Sequence, residues 1–190
     1  MKQYNVYPEC YVDTNFVSHI LGATVKHKSS CNEVVKAINH SDGFAVGVID
    51  ADKRLPTMDN GFKLYSSDKN QHVSLYVHED RKRFIFTVKP AMDQFILEIA
   101  KDLGIDLHDY NFPSRLADFK KRTKRVTAAD DPNLRRLFSA LESHPEIERF
   151  RNTLKYLVEK NLNIDYRLVI EFFEGEKNKQ DLHEILFSKY

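Results

Sequence analysis

A chain of 190 residues with 29 basic and 28 acidic side chains, formally +1, has no bulk attraction for nucleic acid or a membrane surface, so any such contact must come from a local patch. A composition of 42% hydrophobic and 30% charged residues, with 13 Phe and 9 Tyr, excludes a disordered chain and supplies enough apolar side chains for a core. The two cysteines, Cys10 and Cys31, lack metal-type spacing, which argues against a disulfide scaffold or zinc knuckle and for reduced thiols in a cytoplasmic setting.

Pro8, Glu9 and Asp13 interrupt the opening residues where a secretory signal needs an apolar run. No later stretch reaches the roughly eighteen apolar residues of a membrane span. The expectation is a protein that is neither secreted nor membrane-spanning.

In chain order, residues 3–8 read as a strand, and Phe16, Val17, Ile20 and Leu21 mark a helix ended by Gly22. A short β-like piece, 23–27, precedes Ser29 and Ser30, which can cap a helix carrying Val34, Val35 and Ile38 on one face. After the turn Ser41-Asp42-Gly43, the uniformly apolar run 44–49 ends in Asp50 and fits a strand buried on both faces. This β-α-β-α-β series predicts an α/β fold with a mainly parallel sheet flanked by helices.

A polar loop with Pro56, Asp59, Asn60 and Gly61 leads to strands over 72–78 and 83–88, a plausible hairpin. Pro90 introduces a helix with Phe95, Ile96, Ile99, Ala100 and Leu103 on its apolar stripe, ended by Gly104. Beyond residue 106 the strand signal fades, and helices are predicted over 115–124, 133–143, 146–160, 166–173 and 181–187. The expected division is an α/β part over 1–105 and a helical C-terminal part over 106–190 packed on it, able to present a surface to a protein partner or a second copy.

Glu9 and Asp13 follow the first strand, and Asp50-Ala51-Asp52 the buried one. Carboxyl ends of parallel strands share one sheet edge, so these separate segments can converge. Extended backbone would send Asp50 and Asp52 to the same side. Crowded carboxylates repel unless protons or cations neutralise them, and Mg²⁺ or Mn²⁺ does so through hard oxygen ligands. Metal-assisted phosphodiester chemistry is the resulting expectation. The competing reading gives Asp13 to capping the first helix, Asp50 and Asp52 to a turn or cap, and Glu9 to pairing with Lys26 or Lys28.

At these residues the chain resembles the TOPRIM domain of topoisomerases, bacterial primases and the overcoming-lysogenization-defect nucleases. Glu9-Cys10-Tyr11-Val12-Asp13 matches that family's Glu after the first strand with an acidic residue four positions on, and Asp50-Ala51-Asp52 its Asp-x-Asp. The resemblance covers about residues 3–105. Cys10 departs from the family's usual Gly, and Lys53-Arg54-Leu55-Pro56 from its Gly-containing turn.

The resemblance implies a metal-dependent nuclease with Glu9 as ligand or general acid-base and Asp13, Asp50 and Asp52 as ligands. Asp93 is a further ligand candidate, and Lys53 and Lys89 are catalytic candidates. A role in defence against phage or other foreign DNA is a further implication. Topoisomerase and primase are disfavoured by the length and by the lack of another catalytic module. Tyr11-Val12-Asp13-Thr14-Asn15-Phe16-Val17 also resembles the opening of PIN-domain ribonucleases, which have no natural place for Asp50-Ala51-Asp52. A non-catalytic TOPRIM-like interaction module is the other alternative.

Lys120, Lys121, Arg122, Lys124 and Arg125, with Arg115, form the densest basic stretch, able to contact the phosphates of DNA or RNA or simply to complement a helix end. The His residues show no zinc-hydrolase spacing, and Walker, Rossmann and nucleophile-elbow motifs are missing. Phe172, Phe173, Phe187 and Tyr190 read as core, or as a partner surface if exposed.

Overall fold

The computed structural model describes residues 3–51, 61–65, 69–78 and 82–187. It is an α/β structure: a mixed five-stranded sheet, helices on both faces and a helical C-terminal part. The strands are β1 (Val6–Pro8), β2 (Ala45–Asp50), β3 (Lys63–Tyr65), β4 (Val73–His78) and β5 (Arg83–Val88), in the spatial order β1-β2-β5-β4-β3.

β1, β2 and β5 are parallel, with Pro8 opposite Val48 and Asp50 opposite Val88. β4 runs antiparallel to β5, and β3 in turn antiparallel to β4. The mainly parallel sheet expected from sequence is therefore corrected to a mixed one. The cause is local: β4 and β5 join through a short connection, which permits only an antiparallel pair.

The β-like piece at 23–27 is not a full strand. It lies extended beside β1, through Lys26 N–H to the Val6 carbonyl and Lys28 N–H to the Pro8 carbonyl, both 2.9 Å. It follows α1 (Tyr11–Leu21), which ends at Gly22 in the left-handed conformation, φ 60°, where a side chain would be strained. Next comes α2 (Cys31–Asn39), capped by the Ser30 hydroxyl, which accepts from Glu33 N–H as the sequence suggests.

α2 covers one sheet face, Val34, Val35 and Ile38 meeting Ala45, Ile49 and Ile85. Gly47 makes this approach possible, since a Cβ there would lie 2.8 Å from Val34 Cγ1. Val34 is β-branched and stiff in a helix, so it cannot easily yield. Gly47→Val is therefore expected to destabilise the fold by about 1–3 kcal/mol through overpacking, read as a lower urea midpoint at unchanged m-value.

The opposite face carries the larger core, led by Phe16 of α1. Its ring meets Phe138 at 5.1 Å, Phe150 at 5.7 Å and Phe95 at 6.4 Å between centroids. Those partners sit on α5 (Pro132–Leu141), α6 (Pro145–Lys160) and α3 (Met92–Asp102). One apolar cluster thus runs from β1 through to the C-terminal helices, which include α4 (Leu116–Thr123), α7 (Tyr166–Glu174) and α8 (Lys179–Phe187). Among the described residues no helix is long and apolar enough to cross a membrane.

Candidate metal site at the sheet edge

α1 and α2 pack on opposite faces of the sheet, and the extended piece 24–28 and β2 flank β1 on either side. The chain therefore changes winding direction between β1 and β2, where α/β sheets open a crevice beyond their carboxyl ends. Glu9 and Asp50 occupy that position. Glu9 N–H donates to the Val48 carbonyl at 3.0 Å, and Asp50 N–H donates to Glu9 Oε2 at 3.1 Å. The convergence expected of residues some forty positions apart is a direct hydrogen bond.

Asp13 is the third member. It stands in the first turn of α1, fully buried, and its Oδ2 accepts from Cys10 N–H at 3.2 Å. Its other oxygen, Oδ1, is buried with no hydrogen-bond partner. Burial, then the neighbouring Asp50 charge and more weakly Glu9, hold the Asp13 carboxyl well above the usual carboxylate range, against the lowering effect of the Cys10 bonds. Burial and the charges of Asp13 and Asp50 likewise push the Cys10 thiol up, so it stays a neutral thiol. Cys10 and Cys31 are both unpaired.

Asp50 has a structural duty as well. Its Oδ1 accepts from Met92 N–H at 2.9 Å, placing negative charge at the N-terminus of α3, where the helix dipole favours it. Among the described residues no three His, Cys, Asp or Glu side chains are grouped to hold a metal ion. Asp52 and Lys53, which the sequence put in the site, lie outside the described residues.

Asp93 turns elsewhere: it is buried, and its Oδ1 accepts from the Thr123 hydroxyl of α4 at 2.5 Å. Lys89 follows β5 at the same sheet edge and is exposed, its backbone N–H bonded to the His72 carbonyl at 2.7 Å. Among the described residues no hydrogen bond or ion pair ties its ammonium to Glu9, Asp13 or Asp50.

Residues that the sequence did not single out complete the surroundings. The Thr14 hydroxyl lies 2.7 Å from the Cys10 carbonyl and 3.0 Å from His27 Nδ1. A hydroxyl has one proton, so donating it to the carbonyl requires His27 to donate from Nδ1. His27 stacks on Tyr11 at 4.4 Å, and the ammoniums of Lys26 and Lys28 lie over the Tyr7 ring at 5.6 and 5.4 Å. Lys26 and Lys28, which the sequence offered as partners of Glu9, instead lie over Tyr7, with Lys26 Nζ donating to Asn5 Oδ1 at 2.8 Å; His27 had no sequence signal beyond its place in the β-like piece.

The basic stretch is anchored to the helices that carry the site residues. Thr123 ties it to Asp93, next to Met92, and the buried Asn15, two residues beyond Asp13, donates to the Ala128 carbonyl at 2.8 Å and the Asp131 carbonyl at 3.1 Å. The segment 123–131, which follows most of the basic stretch, is thus held between the N-terminal ends of α3 and α1. Not every cation there is available. Lys121 pairs with Asp118 at 3.0 Å, and Arg122 donates to the Asn111 carbonyl and covers the Phe112 ring at 4.8 Å. Arg115, Lys124 and Arg125 are exposed, and Lys120 is half-buried. Comparison with protein-family models, curated proteins and solved structures finds no match to this chain.

Proposed function

We propose that this chain is a Mg²⁺- or Mn²⁺-dependent nuclease, with a TOPRIM-like disposition of Glu9, Asp13 and Asp50. The observation that carries the reading is the buried Asp13 Oδ1, which has no donor although it sits beside two further carboxylates. A buried acceptor without a partner costs roughly 1–3 kcal/mol, and a proton or a cation would relieve it.

The donors are hard oxygens, and the nearby thiol is neutral, which suits Mg²⁺ or Mn²⁺ rather than a soft ion. Glu9 Oε2 and Asp50 Oδ1 are engaged by backbone N–H groups, which fix both carboxylates to the sheet edge. An incomplete protein shell is usual for Mg²⁺, which takes one or two carboxylates and keeps water and phosphate oxygens. Asp52 would be a further ligand. When bound, the cation polarises a phosphate oxygen and lowers the pKa of its water.

The chain's own residues would hold the substrate. Lys26 and Lys28, beside the Tyr7 ring, and the exposed Lys124 and Arg125 with Lys120 would take phosphates, and the Tyr11–His27 stack would offer a base a ring face. Incubation of the protein with labelled single- and double-stranded DNA and RNA should give cleavage with Mg²⁺ or Mn²⁺ and none with EDTA. Failure on all four substrates with either metal would overturn the reading.

One observation favours a second reading, a non-catalytic module. Each of the three carboxylates accepts a backbone N–H: Asp50 bonds Met92, Glu9 bonds Asp50, and Asp13 bonds Cys10 in the manner of a helix cap. Under that reading the protein binds no divalent ion.

A further inference from the structure

Two histidines with opposite protonation needs meet where α6 begins. His144 is the N-cap of α6: its Nδ1 accepts from Glu146 N–H at 3.2 Å, which leaves the ring proton on Nε2, 4.0 Å from Asp102 Oδ2 at the end of α3. Only a neutral ring can accept in this way. His72, just before β4, places Nδ1 2.9 Å from Glu146 Oε2 and Nε2 2.6 Å from Glu98 Oε2, so it donates from both nitrogens only as the imidazolium.

Glu146 connects the two. Its N–H bonds His144, while its buried carboxylate takes His72 N–H at 2.7 Å, Val73 N–H at 3.0 Å and the His72 ring. Glu98 and Asp102 stand four residues apart on α3, so one face of that helix meets both histidines. The charged groups facing His144 are therefore Asp102 of α3, Glu146 and Arg149 of α6, and His72; those facing His72 are Glu98 and Glu146. None of them belongs to the carboxylate site.

Burial is the main reason that the His144 pKa lies below the ordinary 6.5; Glu146 and Asp102 oppose the shift, and the positive Arg149 and His72 add to it. A proton on Nδ1 would set a second donor against Glu146 N–H and place positive charge at a helix N-terminus, where the dipole disfavours it. At His72 burial works in the same direction, but the bonds to the two carboxylates outweigh it and the pKa is raised.

We propose that this junction is a two-sided pH latch joining α3, β4 and α6: acid loosens it by protonating His144, and alkali by deprotonating His72. The His144 contribution is complete above about pH 6.5 and is lost as pH falls through its folded value; the His72 contribution is complete below about pH 6.5 and is lost as pH rises through its own. Both are complete together only near pH 6.5, where the junction is tightest.

The test follows the imidazole Cε1–H resonances of the full chain by NMR from about pH 5 to 9, each assigned through the backbone. His144 should titrate below 6.5 and His72 above it, and in His72→Gln the His144 midpoint should move up because a neighbouring positive charge is gone. In urea unfolding over about pH 5.5–8, the midpoint of the parent should be highest near pH 6.5 and fall on both sides. His144→Asn, whose amide oxygen can still cap Glu146 N–H, should flatten the acid-side fall and leave the alkaline one. His144 titrating at or above 6.5, His72 at or below it, or an equal acid-side fall in folded His144→Asn would overturn the latch.

Discussion

Asp50→Asn is expected to lower metal-dependent cleavage by about 10³-fold or more, on the order of 4 kcal/mol of transition-state stabilisation, while the protein stays folded. The substitution separates the two duties of this side chain. Its Oδ1 accepts from Met92 N–H at the start of α3, and an Asn carbonyl oxygen keeps that bond. What is lost is the charge beside Asp13, which the proposed cation would require. Thermal melting within a few degrees of the parent, with activity gone, is the expected pair of results. Full activity in the variant would remove Asp50 from the chemistry.

The largest stability effect is expected at Glu146, far along the sequence from the carboxylate site. This buried side chain takes His72 N–H at 2.7 Å, Val73 N–H at 3.0 Å and His72 Nδ1 at 2.9 Å, joining the start of β4 to the first turn of α6. His72 Nε2 meets Glu98 of α3 at 2.6 Å, so both ring nitrogens face carboxylates and only the imidazolium satisfies both. Glu146→Ala leaves two backbone donors and the His72 Nδ1–H without their acceptor, and the imidazolium with Glu98 alone. Loss of about 3–5 kcal/mol is expected, measured by urea unfolding at pH 6.

The same junction sets a pH dependence. Burial alone would lower the His72 pKa, but the bonds to Glu146 and Glu98 outweigh it and raise the folded-state value above the ordinary 6.5. The folded state then holds a proton that the unfolded state releases. The stabilisation is full below about pH 6.5 and is lost as pH rises through the folded value. His72→Gln should flatten that decline in unfolding free energy, whereas an unchanged slope would assign it to other groups.

Legibility in the sequence followed the strength of local signals. β2 was readable because residues 44–49 are uniformly apolar, and the C-terminal helices because their periodicity is explicit and Pro145 opens α6; that Pro132 opens α5 went unread. β3 was missed because three residues with Leu64 54% exposed carry no alternation worth reading. The hairpin expected over 72–88 is found, β4 pairing antiparallel with β5, and it already implies a mixed sheet; the expectation of a mainly parallel one extrapolated the β-α-β pattern of the first fifty residues past it.

At the site, strand ends predicted that Glu9 and Asp50 would meet, because parallel β1 and β2 bring them to one edge. The orphaned oxygen of Asp13 depends on how α1 enters the core and is a property of packing. Asp93 was a ligand candidate only through the family resemblance, and its bond to the Thr123 hydroxyl of α4 is a packing detail that the sequence did not show. The basic stretch was visible as composition, whereas the commitment of Arg122 to Phe112 and Asn111 was not.

Calorimetric titration of Mn²⁺ into the parent protein, Asp13→Asn and Asp50→Asn tests the shared-cation claim most directly. Saturable binding to the parent, weakened at least tenfold in both variants, is the predicted result. Absence of binding to the parent, or equal affinity in all three proteins, would contradict it.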